Sequence, residues 1–405
     1  MKKKICNFYS LGSLDQTQGG SSFFNYYFVK YLLNKNYYVN VTLYASKNFY
    51  KTQVNLKNTI KKNKKLKIKY IILKDKLKFN IKNNFFLETI NKIFSYEELY
   101  KYFSLNRNKI NNNHINVTRG LGWACVFSKF RIKNVNLLED PIVLQIQREF
   151  LKSPEIFLKI KKIIFYFFLK NIYKKISIIF KLNDYCKFYS HCPNHINYFN
   201  KNNIKCKHIP TFQKSKSFSY INQVKKFFLK NQNRNFINIV FVGSLDTSAS
   251  KASMENFFVL FKNLNKKIII NIYFLSDSYK NIEKIENVNI YFVKKKIELN
   301  KFMKKIHFGV YLGDYNIGIR QRIIFMMSYA VPVLCHINNK ESLIFFENKK
   351  DIIYYKNNSQ LFEIFNQLFF NKKFLLKLKL NSFFSQRNFY DSNTNLKLFF
   401  NEIIK

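Results

Sequence analysis

The chain is poor in acidic residues, glycine, proline and tryptophan. Its 405 residues include 23 Asp and Glu against 70 Lys and Arg, with nine glycines, five prolines and one tryptophan. The formal net charge of +47 favours phosphate-rich partners or an anionic membrane. An AT-rich genome would produce the same excess of Lys, Asn, Ile and Phe. We therefore interpret most of the charge as coding bias carried on a solvated surface, which still raises affinity for anions.

The six cysteines form no paired framework, so the chain does not resemble a disulfide scaffold and suits a reducing cytosol. Cys186, Cys192 and Cys206 lie near His191 and His195 in sequence, which raises a zinc site as an alternative. No cysteine pair has the Cys-x2-Cys spacing of structural zinc sites. The pattern therefore predicts no metal.

Long uncharged apolar runs are also missing. The basic start "MKKK" is followed by a polar loop containing Asp15 rather than an apolar segment, so we expect no signal peptide. The most apolar stretch, residues 157–182, carries seven interspersed lysines, and we expect no transmembrane helix. This stretch has two readings: a helix that lies on an anionic bilayer, or a core helix whose lysines extend to water. We expect a cytoplasmic protein, with peripheral attachment to the inner face of the cytoplasmic membrane under the first reading.

What is present is ample core material. Hydrophobic residues make up 47% and aromatic residues 18% of the chain, which excludes disorder, and the length favours two domains. The first half begins strand, glycine-containing loop, helix, strand, as a doubly wound sheet does. The predicted strands here are 4–10, 37–45, 66–73 and 141–147, with a helix over 21–36, and residues 208–212 end this half.

The pattern restarts in the second half, after a polar, basic segment. A nearly continuous apolar run at 236–245 ends in Gly-Ser, as a buried parallel strand would. Further strands are predicted at 267–276, 288–293, 307–313 and 332–336. We predict an α/β protein with two Rossmann-like domains facing each other across a cleft. The predicted divisions are a first domain at 1–212, a linker and helix at 213–235, a second domain at 236–385, and a C-terminal helix at 386–405 that crosses back.

The stretch "YNIGIRQRIIFMMSYAVPVLCH" (315–336) departs from the surrounding composition. Gly318 permits a tight turn, and a helix starting there would point its N–H groups at an anion. Arg320 and Arg322 in its first turn oppose the helix dipole but would grip a phosphate through their guanidinium groups. Alternatively, one or both arginines are simply solvated. We predict phosphate contact by at least one of them.

These residues resemble the nucleotide-binding domain of GT-B glycosyltransferases, especially the retaining group 1 (family 4) type. Gly318 matches that family's glycine, Arg322 its basic residue, Ala330 its usual second glycine, and Pro332-Val333 its Pro-Val. The family's glutamate, which normally holds the ribose of the donor, is replaced by Phe325. The order of these motifs carries the resemblance, moderately over residues 180–400 and weakly over residues 4–50.

The resemblance implies a donor site for a nucleotide-diphosphate sugar. Without a metal, cations and helix N-termini must stabilise the leaving diphosphate. The candidate donor residues are those of the loops after the predicted strands: Gly243, Ser244, Lys251, Asp314, Gly318, Arg320 and Arg322. Lys251 and Asp314 have the alternative reading of solvated loop residues. The nucleotide sugar is a substrate, and no cofactor is implied.

Acceptor-side candidates come from the first half. Gly19, Gly20 and Ser21 precede the first helix and resemble the family's Gly-Gly loop. Gln147 and Arg148 follow the apolar run at 141–147, where family members place a polar cleft residue. No general base is evident, so the catalytic residues stay unassigned.

The resemblance implies a glycosyltransferase that is retaining and metal-independent, acting on a glycan or lipid-linked acceptor in bacterial surface polysaccharide or lipopolysaccharide synthesis. Two other classes stay open. One is an inactive GT-B scaffold that binds a sugar or partner, which Phe325 supports. The other is a basic nucleic-acid-binding protein, although no RNP-like, zinc-finger or basic-zipper pattern is present, so we expect no specific nucleic-acid partner.

Overall fold

The structure is a computed structural model, and the chain divides into two compact units. Unit 1 comprises Met1–Ile209 and Leu396–Lys405, and unit 2 comprises Pro210–Asn395. The residues that the structure describes are 3–11, 14, 21–46, 63–73, 94–107, 113–151, 160, 163, 166–167, 169–231, 235–242, 257–258, 269–275, 286–293, 298–313, 318 and 320–404.

Unit 1 is built on a seven-stranded sheet of order β3-β2-β1-β4-β5-β6-β7, in which every pairing is parallel. Its strands are β1 Ile5–Leu11, β2 Tyr38–Ser46, β3 Leu66–Leu73, β4 Ile115–Arg119, β5 Asn134–Leu137, β6 Cys186–Ser190 and β7 Cys206–His208. Its helices are α1 Ser21–Asn34, α2 Tyr96–Asn106, α3 Leu121–Lys129, α4 Ile142–Leu151, α5 Ile172–Ile179, α6 Leu182–Tyr185 and α7 Pro193–Lys201.

Unit 2 carries a six-stranded sheet of order β10-β9-β8-β11-β12-β13, again parallel throughout. Its strands are β8 Phe236–Val242, β9 Ile269–Leu275, β10 Val288–Phe292, β11 Phe308–Tyr311, β12 Val333–His336 and β13 Ile353–Tyr355. Its helices are α8 Phe218–Lys230, α9 Leu299–Lys304, α10 Gln321–Ser328, the 3-10 helix Ile337–Ser342, α11 Asn358–Phe370, α12 Lys372–Tyr390 and the start of α13 Ser392–Ile404.

Both sheets reverse their strand order once, between β1 and β4 in unit 1 and between β8 and β11 in unit 2. This is the order of doubly wound nucleotide-binding sheets, in which ligands bind beyond the carboxyl ends of the strands at the reversal. The α/β prediction with two Rossmann-like halves is confirmed at the level of each unit. The topology therefore directs attention to the loops that follow four strands, β1, β4, β8 and β11.

One predicted strand is wrong. Residues 142–147 belong to helix α4 rather than to a strand. Pro141 precedes the helix and its carbonyl accepts the amide of Gln145, as suits a proline before the first helical residue. The apolar side chains of Ile142, Val143 and Ile146 all pack into one hydrophobic cluster, because they have helical rather than alternating spacing.

Asparagine ladders fix the register of both sheets. In unit 1 the Asn40 amide donates to Asn7, and Asn7 donates to Asn116, at 2.9 and 3.0 Å. In unit 2 Asn289 donates to Asn271, and Asn271 donates to Asn238, at 3.0 and 2.9 Å. In both ladders the asparagines are register partners on neighbouring strands. A slip of one residue would separate these amides from their partners and leave buried Asn7, Asn116 and Asn238 without them, so each ladder selects one pairing.

The C-terminal helix α13 begins in unit 2 and continues in unit 1 from Leu396. Phe399 packs its ring against Phe24 and Phe28 of α1, with centroids 5.8 and 5.5 Å apart. The Tyr189 hydroxyl donates to Glu402 Oε2 at 2.8 Å. These contacts complete the core of unit 1 with residues from the far end of the chain. No helix in the described part of the chain is long and apolar enough to cross a membrane.

Unit 2 buries a lysine. Lys379 of α12 is fully buried and its ammonium donates to the carbonyls of Ile306 and His307, at 2.6 and 3.5 Å. Burial lowers the pKa of Lys379 to about 7, because a low-dielectric interior disfavours the charged form. In the unfolded chain Lys379 has an ordinary lysine pKa. Unfolding therefore takes up a proton at any pH between the folded-state and unfolded-state pKa values of Lys379.

We therefore expect the free energy of unfolding to rise with pH from about pH 7 to about pH 8.5, by up to about 2 kcal/mol. Lys379→Met should remove this slope, and Lys377→Met, an exposed lysine on the same helix, should leave it unchanged. Denaturant titrations at several pH values measure it. The rise in stability ends near pH 8.5 because burial raises the pKa of thiols such as Cys125 in the folded protein. Above that pH these thiols ionise in the unfolded chain but not in the folded one, which lowers the free energy of unfolding. Identical slopes for wild type and Lys379→Met would contradict the assignment.

Candidate functional site

The candidate site in unit 2 lies at the carboxyl end of β11, one of the two strands at the reversal of its sheet. After β11 the chain reaches Gly318, which is buried and has φ of +73°, a value that glycine adopts without strain. This φ is compatible with the turn predicted at Gly318. This turn sets the direction from which helix α10 begins.

Helix α10 begins at Gln321, three residues later than the predicted start. Arg320 is its N-cap with ψ of 78°, which is not helical, so Arg320 precedes the first turn and Arg322 lies within it. Among the residues described around this end of the helix, none provides a side-chain cap, and the first turn contains no acidic residue. The first amides of α10 are therefore suited to an anion.

Arg320 is held in place by a buried amide. Its Nε donates to Asn339 Oδ1 at 3.2 Å, and its guanidinium carbon lies 5.5 Å from the centre of the Tyr311 ring. Asn339 is fully buried and donates to the carbonyls of Gly313 and His336, at 2.6 and 3.1 Å. One amide thus ties together the ends of β11 and β12 and the arginine between them. Because these contacts already hold the Arg320 guanidinium in place, little conformational entropy is lost when a ligand binds to it.

The two arginines differ in exposure. Arg320 is half-buried and Arg322 is exposed. A phosphate at the start of α10 would meet a preoriented guanidinium from Arg320 and a freely extending one from Arg322. Gln321, between them, donates to the Thr211 hydroxyl, which anchors the first residue of the helix.

Four of the predicted donor residues lie outside the described residues: Gly243, Ser244, Lys251 and Asp314. In sequence they follow β8 and β11, the two strands at the reversal. Their assignment to a donor site stays a prediction, as does that of Gly318, Arg320 and Arg322.

Phe325 occupies the position of the expected ribose-binding glutamate. It lies one turn into α10, half-buried, with its ring 5.2 Å from that of Tyr329. A phenyl ring accepts no hydrogen bond from a ribose hydroxyl. A ribose bound here would need other partners or would rest on the ring.

The predicted acceptor residues are only partly placed by the structure. Gly19 and Gly20 lie outside the described residues, and Ser21 is the first residue of α1. Gln147 and Arg148 lie within α4, so the premise that they follow a strand is wrong. An acceptor role for these residues stays a prediction.

Unit 1 contains a charged cluster that the sequence patterns did not reveal. We call Arg119, Glu139, Asp140, Tyr44 and His191 the Arg119–Glu139 cluster. Its members follow or end strands β2, β4, β5 and β6, so they share the carboxyl edge of the sheet. Arg119 Nε lies 3.5 Å from Glu139 Oε1, with side chains 11% and 33% exposed.

Aromatic rings and a glycine shape the cluster. The guanidinium carbon of Arg119 lies 5.1 Å from the centre of the Phe24 ring, and the His191 ring lies 5.4 Å from it. Gly120 has φ of +92°. A Cβ placed on it would lie 3.4 Å from the Tyr44 hydroxyl and 3.7 Å from Glu139 Oε2. These are ordinary van der Waals distances, so it is the positive φ after the end of β4 that favours glycine here.

Burial perturbs the ionisation of this cluster. It lowers the pKa of Arg119, an effect that the neighbouring Glu139 opposes, and it raises the pKa of Glu139, an effect that Arg119 opposes. Burial lowers the pKa of His191 to about 3, so this imidazole is neutral at physiological pH and its Nδ1–H donates to the Ile209 carbonyl at 3.0 Å. Clusters of perturbed groups at a sheet edge are typical of functional sites.

Two sequence signals could have found the cluster. Glu139-Asp140 is one of only two adjacent acidic pairs in the chain, which is conspicuous where acids are scarce. Arg119-Gly120 follows the β-branched run Ile-Asn-Val-Thr, the usual composition of a strand that ends in a tight turn. The strands predicted from the sequence did not include β4, so the two signals were not connected.

The zinc alternative finds no support in the described residues. Cys186 is buried and contacts Ser128 and Asn134, whose amide donates to its Sγ at 3.0 Å. Among the residues that the structure describes, no three His, Cys, Asp or Glu side chains come together as metal ligands.

No protein-family profile matches this chain, and no curated protein sequence matches it. Solved structures do share its fold. A structure of Alr3699/HepE from Anabaena in complex with UDP is similar over 99% of both chains, with 10% identity and a TM-score of 0.62. A glycosyltransferase from Rickettsia africae is similar over the whole of both chains, with 11% identity and a TM-score of 0.62.

A third structure, sucrose-phosphate synthase from Thermosynechococcus elongatus, is similar over 98% of this chain and 97% of its own, with 9% identity and a TM-score of 0.63. At such low identity these likenesses establish the fold alone. The chain has the GT-B fold, as predicted.

Proposed function

We propose that this chain is a glycosyltransferase that moves a sugar from a nucleotide-diphosphate sugar to a glycan or lipid-linked acceptor. The observation that carries the proposal is the preoriented Arg320 at the uncapped start of α10, held by buried Asn339 at the reversal of a Rossmann-like sheet. The GT-B fold and the presence of UDP in the similar structure of Alr3699/HepE support a nucleotide ligand for this chain.

The proposed chemistry follows from where charge develops. As the glycosidic bond breaks, its electron pair leaves with the diphosphate, whose negative charge increases. Arg320, Arg322 and the first amides of α10 would stabilise that charge more strongly in the transition state than in the ground state. This role needs no metal, and we propose that Lys251 adds a further cation. A retaining outcome and a pathway in bacterial surface polysaccharide or lipopolysaccharide synthesis are part of the proposal.

Turnover separates the enzyme from its alternatives. We expect release of nucleoside diphosphate from at least one member of a panel of UDP-, GDP- and ADP-sugars, with acceptor glycans present and with EDTA added. Nucleotide binding without turnover on any acceptor would favour the inactive scaffold. Salt-dependent binding to random RNA without nucleotide binding would favour the nucleic-acid-binding alternative.

We further propose that the protein works in the cytoplasm and attaches to an anionic membrane through 157–182. Helix α5 carries exposed Ile178 and Ile179 one turn after exposed Lys174 and Lys175. The opposite side of α5 is buried in unit 1. Apolar side chains among lysines suit insertion at a negatively charged surface.

Replacing Ile178 and Ile179 together with serine should weaken binding to phosphatidylglycerol vesicles about tenfold or more, because fully burying an isoleucine contributes about 1.5–3 kcal/mol. Leu398→Ser, at an exposed leucine in the same unit, should have no effect. Vesicle co-sedimentation measures this. Equal binding by all three proteins would exclude α5 as the attachment point.

A further inference from the structure

Helix α10, all of whose residues the structure describes, presents only three side chains beyond the core of unit 2. Gln321 and Phe325 are half-buried and Arg322 is exposed, whereas the other five residues of the helix are buried. The helix contains no aspartate or glutamate. A ligand that lies along α10 from its first turn therefore meets an amide, a guanidinium and a phenyl ring.

These three side chains offer such a ligand no accessible hydrogen-bond acceptor. The guanidinium of Arg322 only donates, and the ring of Phe325 has no polar atom. Gln321 donates its amide to the Thr211 hydroxyl, and its Oε1 is buried. The main-chain carbonyl of Phe325 already accepts the Ser328 hydroxyl at 2.7 Å. The ligand-facing side of α10 thus combines donors with an apolar surface.

The Phe325 ring is a preformed platform on this side of the helix. It packs against the buried core of unit 2, and its centre lies 5.2 Å from that of the Tyr329 ring. Tyr329 is itself buried, and the Lys216 ammonium lies 4.1 Å from the centre of its ring. Phe325 follows Arg322 by three residues, so both lie on the same side of α10.

We infer that Phe325 receives the ribose of the donor, and that the site therefore binds 2′-deoxyribonucleoside diphosphates as well as ribonucleoside diphosphates. This inference rests on the proposed function, since it takes the diphosphate to bind at the start of α10. Phe325 lies about 6 Å farther along the helix than Gln321, within reach of the groups joined to that diphosphate. A transferred hexose carries more hydroxyl groups than ribose and would lose more hydrogen bonds to water against a ring. The nucleoside therefore takes this side.

The 2′-hydroxyl of a ribose gains nothing on this surface. A hydroxyl that leaves water without finding an acceptor costs free energy, and deoxyribose does not carry that cost. A site rejects an analogue that lacks a hydroxyl only when it is built to hydrogen-bond that hydroxyl. The side of α10 around Phe325 is not built in that way, so it cannot select ribose over deoxyribose.

Isothermal titration calorimetry of the full chain with UDP and dUDP tests this inference, because the two ligands differ only in the 2′-hydroxyl. We expect the wild type to bind dUDP as tightly as UDP, or up to about tenfold more tightly. Phe325→Glu places a carboxylate acceptor beside the ribose and should shift the ratio of the two affinities about tenfold or more towards UDP. Phe384→Glu, at an exposed phenylalanine of α12, should leave the ratio unchanged.

The ratio is taken within one protein, so repulsion between the new carboxylate and the diphosphate affects both ligands alike. If Phe325→Glu does not fold or binds neither ligand, Phe325→Gln provides an uncharged acceptor and should shift the ratio about threefold or more towards UDP. A wild type that binds UDP about threefold or more tightly than dUDP, or a ratio that no Phe325 variant changes, overturns the inference and leaves the proposed function standing. A wild type that binds neither nucleotide contradicts the proposed function, and the inference fails with it.

Discussion

Replacing Arg320 with alanine is expected to weaken UDP binding roughly ten- to hundredfold. Hydrogen bonds to charged groups contribute about 1.5–3 kcal/mol, and each ~1.4 kcal/mol is a tenfold change in affinity. The effect should be large because Arg320 is fixed before the ligand arrives, by Asn339 Oδ1 at 3.2 Å and by the Tyr311 ring. Isothermal titration calorimetry with UDP measures it.

Three further substitutions make this result specific. Arg322→Ala should weaken UDP binding less than Arg320→Ala, since Arg322 is exposed, but more than Lys340→Ala. Lys340 is an exposed lysine of the 3-10 helix beside the site and serves as the control for lost positive charge. Arg320→Lys should be intermediate, because an ammonium cannot bond Asn339 and grip a phosphate with a planar fork. If Arg320→Ala and Lys340→Ala have equal effects, general charge rather than this site binds the nucleotide.

Gly309→Ala is expected to lower the free energy of unfolding by about 1–3 kcal/mol, as overpacking does. Gly309 lies in β11, and a Cβ there would stand 2.3 Å from Met326 Sδ of α10. No positive φ strains this position, so alanine would otherwise stabilise the protein by about 0.4–1 kcal/mol through the unfolded chain. A loss of stability therefore reports the helix-to-strand contact that positions Arg320.

A double-mutant cycle with Met326→Ala tests that reading. Shortening Met326 makes room for the added methyl group, so the double variant should be less destabilised than the sum of the two single variants. Denaturant unfolding of the four proteins gives the coupling. Additive effects, or a stabilising Gly309→Ala, would show that α10 does not rest on β11 in this way.

Much of the fold could be predicted because parallel strands leave a strong signal. Strand 236–242 is a largely buried run of Phe, Ile and Val around one asparagine, and the edge strand 66–73 combines Leu, Ile and Tyr with exposed lysines. The bounds of both strands are confirmed or nearly so. The error at 141–147 arose because a short apolar run has no periodicity that separates a strand from a helix. Pro141 was the overlooked sign of a helix start.

The candidate sites were predictable to different degrees. Gly318 and Arg320 lie within one short segment, so their proximity could be read along the chain. Arg119 and Glu139 are twenty residues apart and meet only because β4 and β5 pair in register. Asn339, which orients Arg320, follows a different strand. Side chains that strand pairing brings together leave no local sequence pattern. The contacts of Arg119 with Glu139 and of Arg320 with Asn339 were therefore not predicted.

The central claim is that a nucleoside diphosphate binds at the start of α10, against Arg320. Hydrogen–deuterium exchange of the whole chain with and without saturating UDP tests it most directly, because a bound phosphate would protect the first amides of that helix. The account predicts slower exchange in residues 318–324 and in the adjoining 336–342. UDP binding that leaves both segments unchanged and slows exchange elsewhere, or no UDP binding at all, would contradict it.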